Sequence, residues 1–130
     1  MFVHLAAPSC VLPLRVGPNC QALVDQVCQV ALMLLETKGC LAYDHQDLPP
    51  DLPTLGLTYH AHLPLDLPWD QGADYVLNSI QALKQKIAFL QPQAYVLHPP
   101  PSGFLSWLAT KDPLILRQLC LENIKDNDLG

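Results

Sequence analysis

Basic residues are scarce in this sequence: 7 Lys and Arg stand against 12 Asp and Glu, and they form no run. Binding to nucleic acid needs clustered cations to neutralise phosphates, so the composition argues against nucleic acid as a main partner. A net charge of −5 still allows a phosphorylated small molecule held through a metal ion. Charge of either sign is sparse too. At 15% charged and 50% hydrophobic, the chain is too apolar to stay disordered and has enough apolar surface for one small core. Paired cysteines are missing. Cys10, Cys20, Cys28, Cys40 and Cys120 are odd in number and make no Cys-x-x-Cys, which points to reduced thiols and away from a disulfide framework or thiolate zinc site. No uncharged apolar run approaches the ~18 residues of a membrane helix. The opening Met-Phe-Val-His-Leu has neither the basic start nor the long apolar core of a signal peptide. The expectation is a cytoplasmic chain with no membrane partner. Also absent are a phosphate-cradling glycine loop, a Gly-x-Ser-x-Gly elbow, a heptad array and an internal repeat. Residues 1–130 read as a single domain.

Proline is the residue present in excess. Ten of the 13 prolines cluster after apolar runs, at Pro8 and Pro13, at Pro49, Pro50 and Pro53, at Pro64 and Pro68, and at Pro99 to Pro101. Proline just past a strand stiffens the loop and favours a preorganised site. Phe2 to Ala6 reads as a first strand ended by Ala7-Pro8-Ser9. Gly17-Pro18-Asn19 reads as a turn, with Asn19 capping a helix over Gln21 to Gln29. The apolar run from Val30 to Leu35 reads as a parallel strand covered on both faces. Thr37 to Gly56 is repeatedly broken by proline and holds only short helical turns. Asp70 to Leu90 is the clearest helix, because Val76, Ile80, Leu83, Ile87 and Leu90 make one apolar stripe. Ala94 to His98 is a strand, Phe104 to Ala109 a short helix, and Leu119 to Asn123 a final strand. Strands alternating with helices over short connections imply an α/β fold with a parallel sheet of about five strands.

The stretch from Leu57 to Trp69 is where this organisation points to chemistry. His60 and His62 are two apart and share one face of a strand, and Pro64 then ends the ladder. Four expected strands end in a polar residue, at Glu36, His62, His98 and Glu122. Taken singly, each is an ordinary strand-end polar group. In a parallel sheet, however, these ends share one edge, so His62, His98 and Glu122 converge there. Two imidazoles and a carboxylate suit a divalent ion and leave coordination positions for water or a substrate oxygen. His60 reads as the lesser of the two neighbouring histidines. His4 reads as structural and His45 as solvated. Asp66 and Asp70 can cap the long helix or its approach. Trp69 and Trp107 suit the core better than a ligand platform, and no spacing argument makes Cys10 a nucleophile.

His-Leu-Pro-Leu-Asp-Leu-Pro-Trp at 62–69, Val-Leu-His-Pro-Pro at 96–100 and Leu-Glu-Asn-Ile at 121–124 together resemble the xylose-isomerase-like TIM barrels, the superfamily that includes endonuclease IV. Ala-Ala-Pro-Ser at 6–9, Leu-Ala-Tyr at 41–43, Asp-Leu-Pro-Pro at 47–50 and the His62 loop are similar, more narrowly, to the cobamide-remodelling phosphodiesterases. The resemblance implies a metal-dependent hydrolase that cleaves the phosphoribosyl linkage in the nucleotide loop of a corrinoid. It implies His62, His98 and Glu122 as ligands to zinc or manganese, with Glu36 or Asp66 orienting water or a sugar hydroxyl. A full barrel has eight strand–helix units and ~250 residues. The chain is therefore expected to match the amino-terminal half of such an enzyme and to self-associate through its open sheet edges. A sugar isomerase or epimerase on the same barrel, and a non-catalytic half-barrel, are the competing expectations.

Overall fold

A computed structural model describes residues 6–8 and 16–121. Strands β1 (Ala6–Pro8), β2 (Gln29–Met33), β3 (Thr58–His62), β4 (Tyr95–Leu97) and β5 (Leu119–Leu121) alternate with helices α1 (Val16–Leu23), α2 (Thr37–Leu41), α3 (Ala73–Ile87), α4 (Phe104–Lys111) and α5 (Pro113–Gln118). Short 3-10 turns at Leu52–Leu55, Trp69–Gln71 and Ala88–Leu90 complete the path. All neighbouring strands pair in parallel, in the sequential order β1-β2-β3-β4-β5. The expected α/β architecture, with about five parallel strands, is what the chain adopts.

Sequential order has a geometric consequence. Right-handed crossovers that always advance the same way lay every helix on the same side of the sheet. The burial pattern agrees. Val30 and Leu32 of β2, Tyr59 and Ala61 of β3, and Tyr95 and Leu97 of β4 are buried and join one core with Cys20, Cys40, Leu83, Leu108 and Ile115 from the helices. Alternate positions face the other way. Ala31 pairs with His60, Met33 with His62, His62 with Val96 and Val96 with Cys120. That second face is only half-buried through β2, β3 and β4 and exposed at Cys120. The expectation that β2 is covered on both faces is thus corrected: helices from every crossover stack on one face alone.

Helix α3 forms where the stripe predicts it. Val76, Ile80, Leu83 and Ile87 are all buried, as is Leu90 in the following 3-10 turn. Its start needs Gly72, whose φ of 99° lies in a region that side chains rarely adopt. The amino-terminal segment departs further from expectation. The described strand β1 includes Ala7 and Pro8, expected to end it, while residues 1–5 lie outside the described residues. Gly17 and Asn19 are not a turn and cap but parts of α1, with Asn19 fully buried. The helix then stops at Leu23, whose carbonyl accepts from both Gln26 N and Val27 N. Gly17 is required by close approach: its N–H donates to the Asp47 carbonyl at 2.9 Å, and a Cβ there would meet Pro49 Cδ at 2.5 Å. Helix α5 was not expected, although Asp112-Pro113 is a helix-start pair: the Asp112 side chain accepts from Ile115 N, and Pro113 occupies the first turn. The end of the final strand, Glu122 and Asn123, lies outside the described residues.

Candidate functional site at the carboxyl edge of the sheet

His62 is the last residue of β3, and His98 directly follows β4. Strand alternation puts both on the face away from the helices. They line one pocket of about 280 Å³, together with Met33, Leu34, Leu35, Leu63 and Leu65. The backbone around it is tied down: Leu34 N donates to the His62 carbonyl at 3.0 Å and Leu63 N to the Val96 carbonyl at 2.9 Å, extending the ladder one step beyond each strand. Pro64 is buried and ends the pairing, as its missing donor requires.

His60 stands one turn of the pleat below His62, with ring centroids 5.2 Å apart and planes tilted by 52°. Burial, and then the neighbouring His62, hold its pKa below the usual histidine value. His60 therefore favours the neutral imidazole and is absent from the pocket lining.

Asp66 is engaged structurally. Its Oδ1 accepts from both the backbone N and the Oγ1 of Thr37, each at 2.8 Å. Thr37 is the buried first residue of α2, and Glu36 before it makes no side-chain cap. A carboxylate from the loop after β3 thus caps the helix after β2, where an unpaired N–H and the positive end of the helix dipole receive it. The expectation that Asp66 caps the approach to α3 is corrected: it caps α2, and α3 has no side-chain cap. Glu36 is exposed and lines a neighbouring groove with Leu35, Gly39, Cys40 and Tyr43, and Leu35 borders both that groove and the histidine pocket. Glu122 lies outside the described residues. Among the described residues, no three His, Cys, Asp or Glu side chains are grouped so as to hold a metal ion. Of the three residues expected to converge, His62 and His98 line one pocket.

A roomier groove of about 700 Å³ lies elsewhere, between Tyr43, Asp44, His45, Leu48, Pro50, Pro53 and the carboxyl end of α3 at Gln85, Lys86 and Phe89. Lys86 Nζ donates to the Tyr43 carbonyl across it at 2.9 Å. No sequence pattern marks this groove, because its walls come from segments some forty residues apart that carry no shared motif. Trp69 and Trp107 flank Phe104, at ring-centroid distances of 4.9 and 5.7 Å, and pack against the core as expected. No helix among the described residues is long and apolar enough to cross a membrane. Compared with protein-family models, curated proteins and solved structures, the chain matches none. The class it can be assigned on its own geometry is an α/β protein with a parallel sheet and interleaved helices.

Proposed function

We propose that the strand-end pocket is the metal-binding part of a phosphodiesterase that hydrolyses the phosphoribosyl linkage of cobamides, built on the first strands of a xylose-isomerase-like barrel. One observation carries the reading: His62 and His98, at the ends of adjacent parallel strands, line the same pocket on the less covered face. The sequential strand order with helices on one side supports the barrel part, since an open doubly wound sheet reverses its order and covers both faces. The motifs that resemble the cobamide-remodelling enzymes supply the substrate.

His62 and His98 would hold a divalent ion, zinc or manganese, with Glu122 as the third ligand. Two imidazoles and a carboxylate are an accepted donor set for either metal. When bound, such an ion polarises phosphoryl oxygens and lowers the pKa of a water. The chain's own residues do the rest. Leu34, Leu63 and Met33 wall the pocket and keep bulk water from the phosphate. The Asp66–Thr37 bond holds the loops after β2 and β3 at a fixed separation. Glu36, on the far side of Leu35, orients a water or sugar hydroxyl that extends into its groove.

The first test is metal affinity. His62→Ala and His98→Ala should each weaken manganese or zinc binding about tenfold or more, since even outer-shell partners of a metal contribute that much. His60→Ala should have a smaller effect. Incubation of a homologue that has all eight barrel units with a cobamide and metal should release a corrinoid lacking its nucleotide base, while the 130 residues alone should turn over poorly. An unchanged corrinoid together with turnover of a ketose would move the assignment to a sugar isomerase.

A further inference from the structure

Two leucines at the histidine pocket are in the wrong place for a folding role. Leu35 is 60% exposed and Leu65 is 69% exposed, yet both line the pocket that holds His62 and His98. Their neighbours do the packing: Leu34 is 4% exposed and Leu63 is 2%. Each exposed leucine therefore follows a buried anchor on a loop at the carboxyl edge, one after β2 and one after β3. What sets these two apart from ordinary exposed leucines is that both line one concavity with two polar side chains, the usual make-up of a ligand pocket. Nor is the backbone beneath them loose. The ladder bonds from Leu34 N and Leu63 N, the buried Pro64 and the Asp66–Thr37 bond set the loops before any ligand arrives. Little ordering entropy then remains to oppose binding. Met33, on the same wall, adds a polarizable side chain that adapts to an irregular apolar shape.

From this we propose that Leu35 and Leu65 form an apolar clamp that selects phosphodiesters carrying an apolar body directly beside the charged group. The clamp rests on the metal-site reading above, because the histidines are what place the phosphate between the leucines. A small hydrophilic diester would reach the imidazoles and leave both leucines wet. An amphiphilic one would cover them.

Two diesters of equal charge, bis(4-nitrophenyl) phosphate and dimethyl phosphate, separate these cases by calorimetry on the full chain with manganese present. The wild-type chain should prefer the aryl diester. Leu35→Asn and Leu65→Asn, both at exposed loop positions, should each weaken aryl-diester binding about fivefold, as expected for leaving part of a leucine uncovered, and leave dimethyl phosphate unchanged. His62→Ala and His98→Ala should weaken both diesters. Leucine variants that bind the aryl diester as the wild type does would overturn the clamp and leave the metal site standing. Variants that weaken both diesters alike would also overturn it, since that pattern belongs to a disturbed pocket. Histidine variants with unchanged binding of both, or a wild-type chain that binds neither, would overturn the metal-site reading and the clamp together.

Discussion

Asp66 shows how a single carboxylate can be read in two ways. Beside His62 in sequence, it looks like a group for orienting water, yet its Oδ1 is committed to the N–H and hydroxyl of Thr37. Removing it takes the acceptor from a helix-start N–H and leaves the buried Thr37 hydroxyl only the longer bond to the Asp66 backbone carbonyl, at 3.4 Å, a cost of about 1–2 kcal/mol. Asp66→Ala should therefore lower the urea midpoint. Asp66→Asn, which retains an oxygen acceptor, should restore most of it. An alanine variant as stable as the wild type would show that the bond contributes nothing and return Asp66 to the list of groups available for chemistry. Glu36 stands differently: it is exposed, gives no cap to α2 and lies one leucine away from the histidines. His60 and His62 are both half-buried; burial and its neighbour hold the pKa of the former below the usual histidine value, and the latter lines the pocket.

Among the elements, α3 and α5 mark the two ends of what a local pattern conveys. The α3 stripe repeats at helical spacing over four turns, and every residue in it is buried. Helix α5 has six residues, too short for a period to emerge, and its start depends on Asp112. That side chain acts twice, accepting from Ile115 N at 3.2 Å through Oδ1 and from Gln81 Nε2 of α3 at 3.0 Å through Oδ2. Lys84 of α3 bonds Gln118 at the other end of α5. Asp112→Ala should destabilise the fold by about 1 kcal/mol, the usual loss for an N-cap, measured by chemical unfolding. Asp112→Asn should lose less, because it can cap the helix equally well. Equal losses in the two variants would show that charge, not the cap, is what matters there.

At the scale of the whole molecule, the sheet is covered by helices on one face and half-open on the other. Parallel sheets are normally shielded on both sides. Among the described residues, β1 and β5 each pair on one side only, and Leu121 of β5 is 50% exposed. An unpaired parallel edge with exposed apolar side chains is a template for another strand. The chain should therefore self-associate at micromolar concentration, burying Ala31, Met33 and Val96 together with an open edge. Sedimentation velocity in a reducing buffer, so that exposed Cys120 cannot cross-link the copies, measures this directly. A concentration-independent monomer would mean that the half-open face is tolerated in water.

The sequence by itself determined the α3 stripe, strands within Val30–Leu35, from Thr58 to His62 and within Ala94–His98, the parallel alternation, and the placing of His62 and His98 at strand ends on one edge, while β2 begins one residue earlier and stops before Leu34. These follow from periodicity and from proline, whose effects reach only a few residues along the chain. Only the tertiary structure decided that β2 is covered on a single face, that Asp66 reaches Thr37 29 residues away, that Glu36 lines a groove of its own with Leu35 on the border, and that Asn19 is buried inside a helix. Each of these depends on the route of a loop or the side taken by a crossover, and residues distant in sequence meet without leaving a local pattern. The exposed Leu35 and Leu65 belong to the same class. Within their apolar runs they are indistinguishable from core leucines, until the folded loops turn their neighbours inward and leave these two beside the histidines.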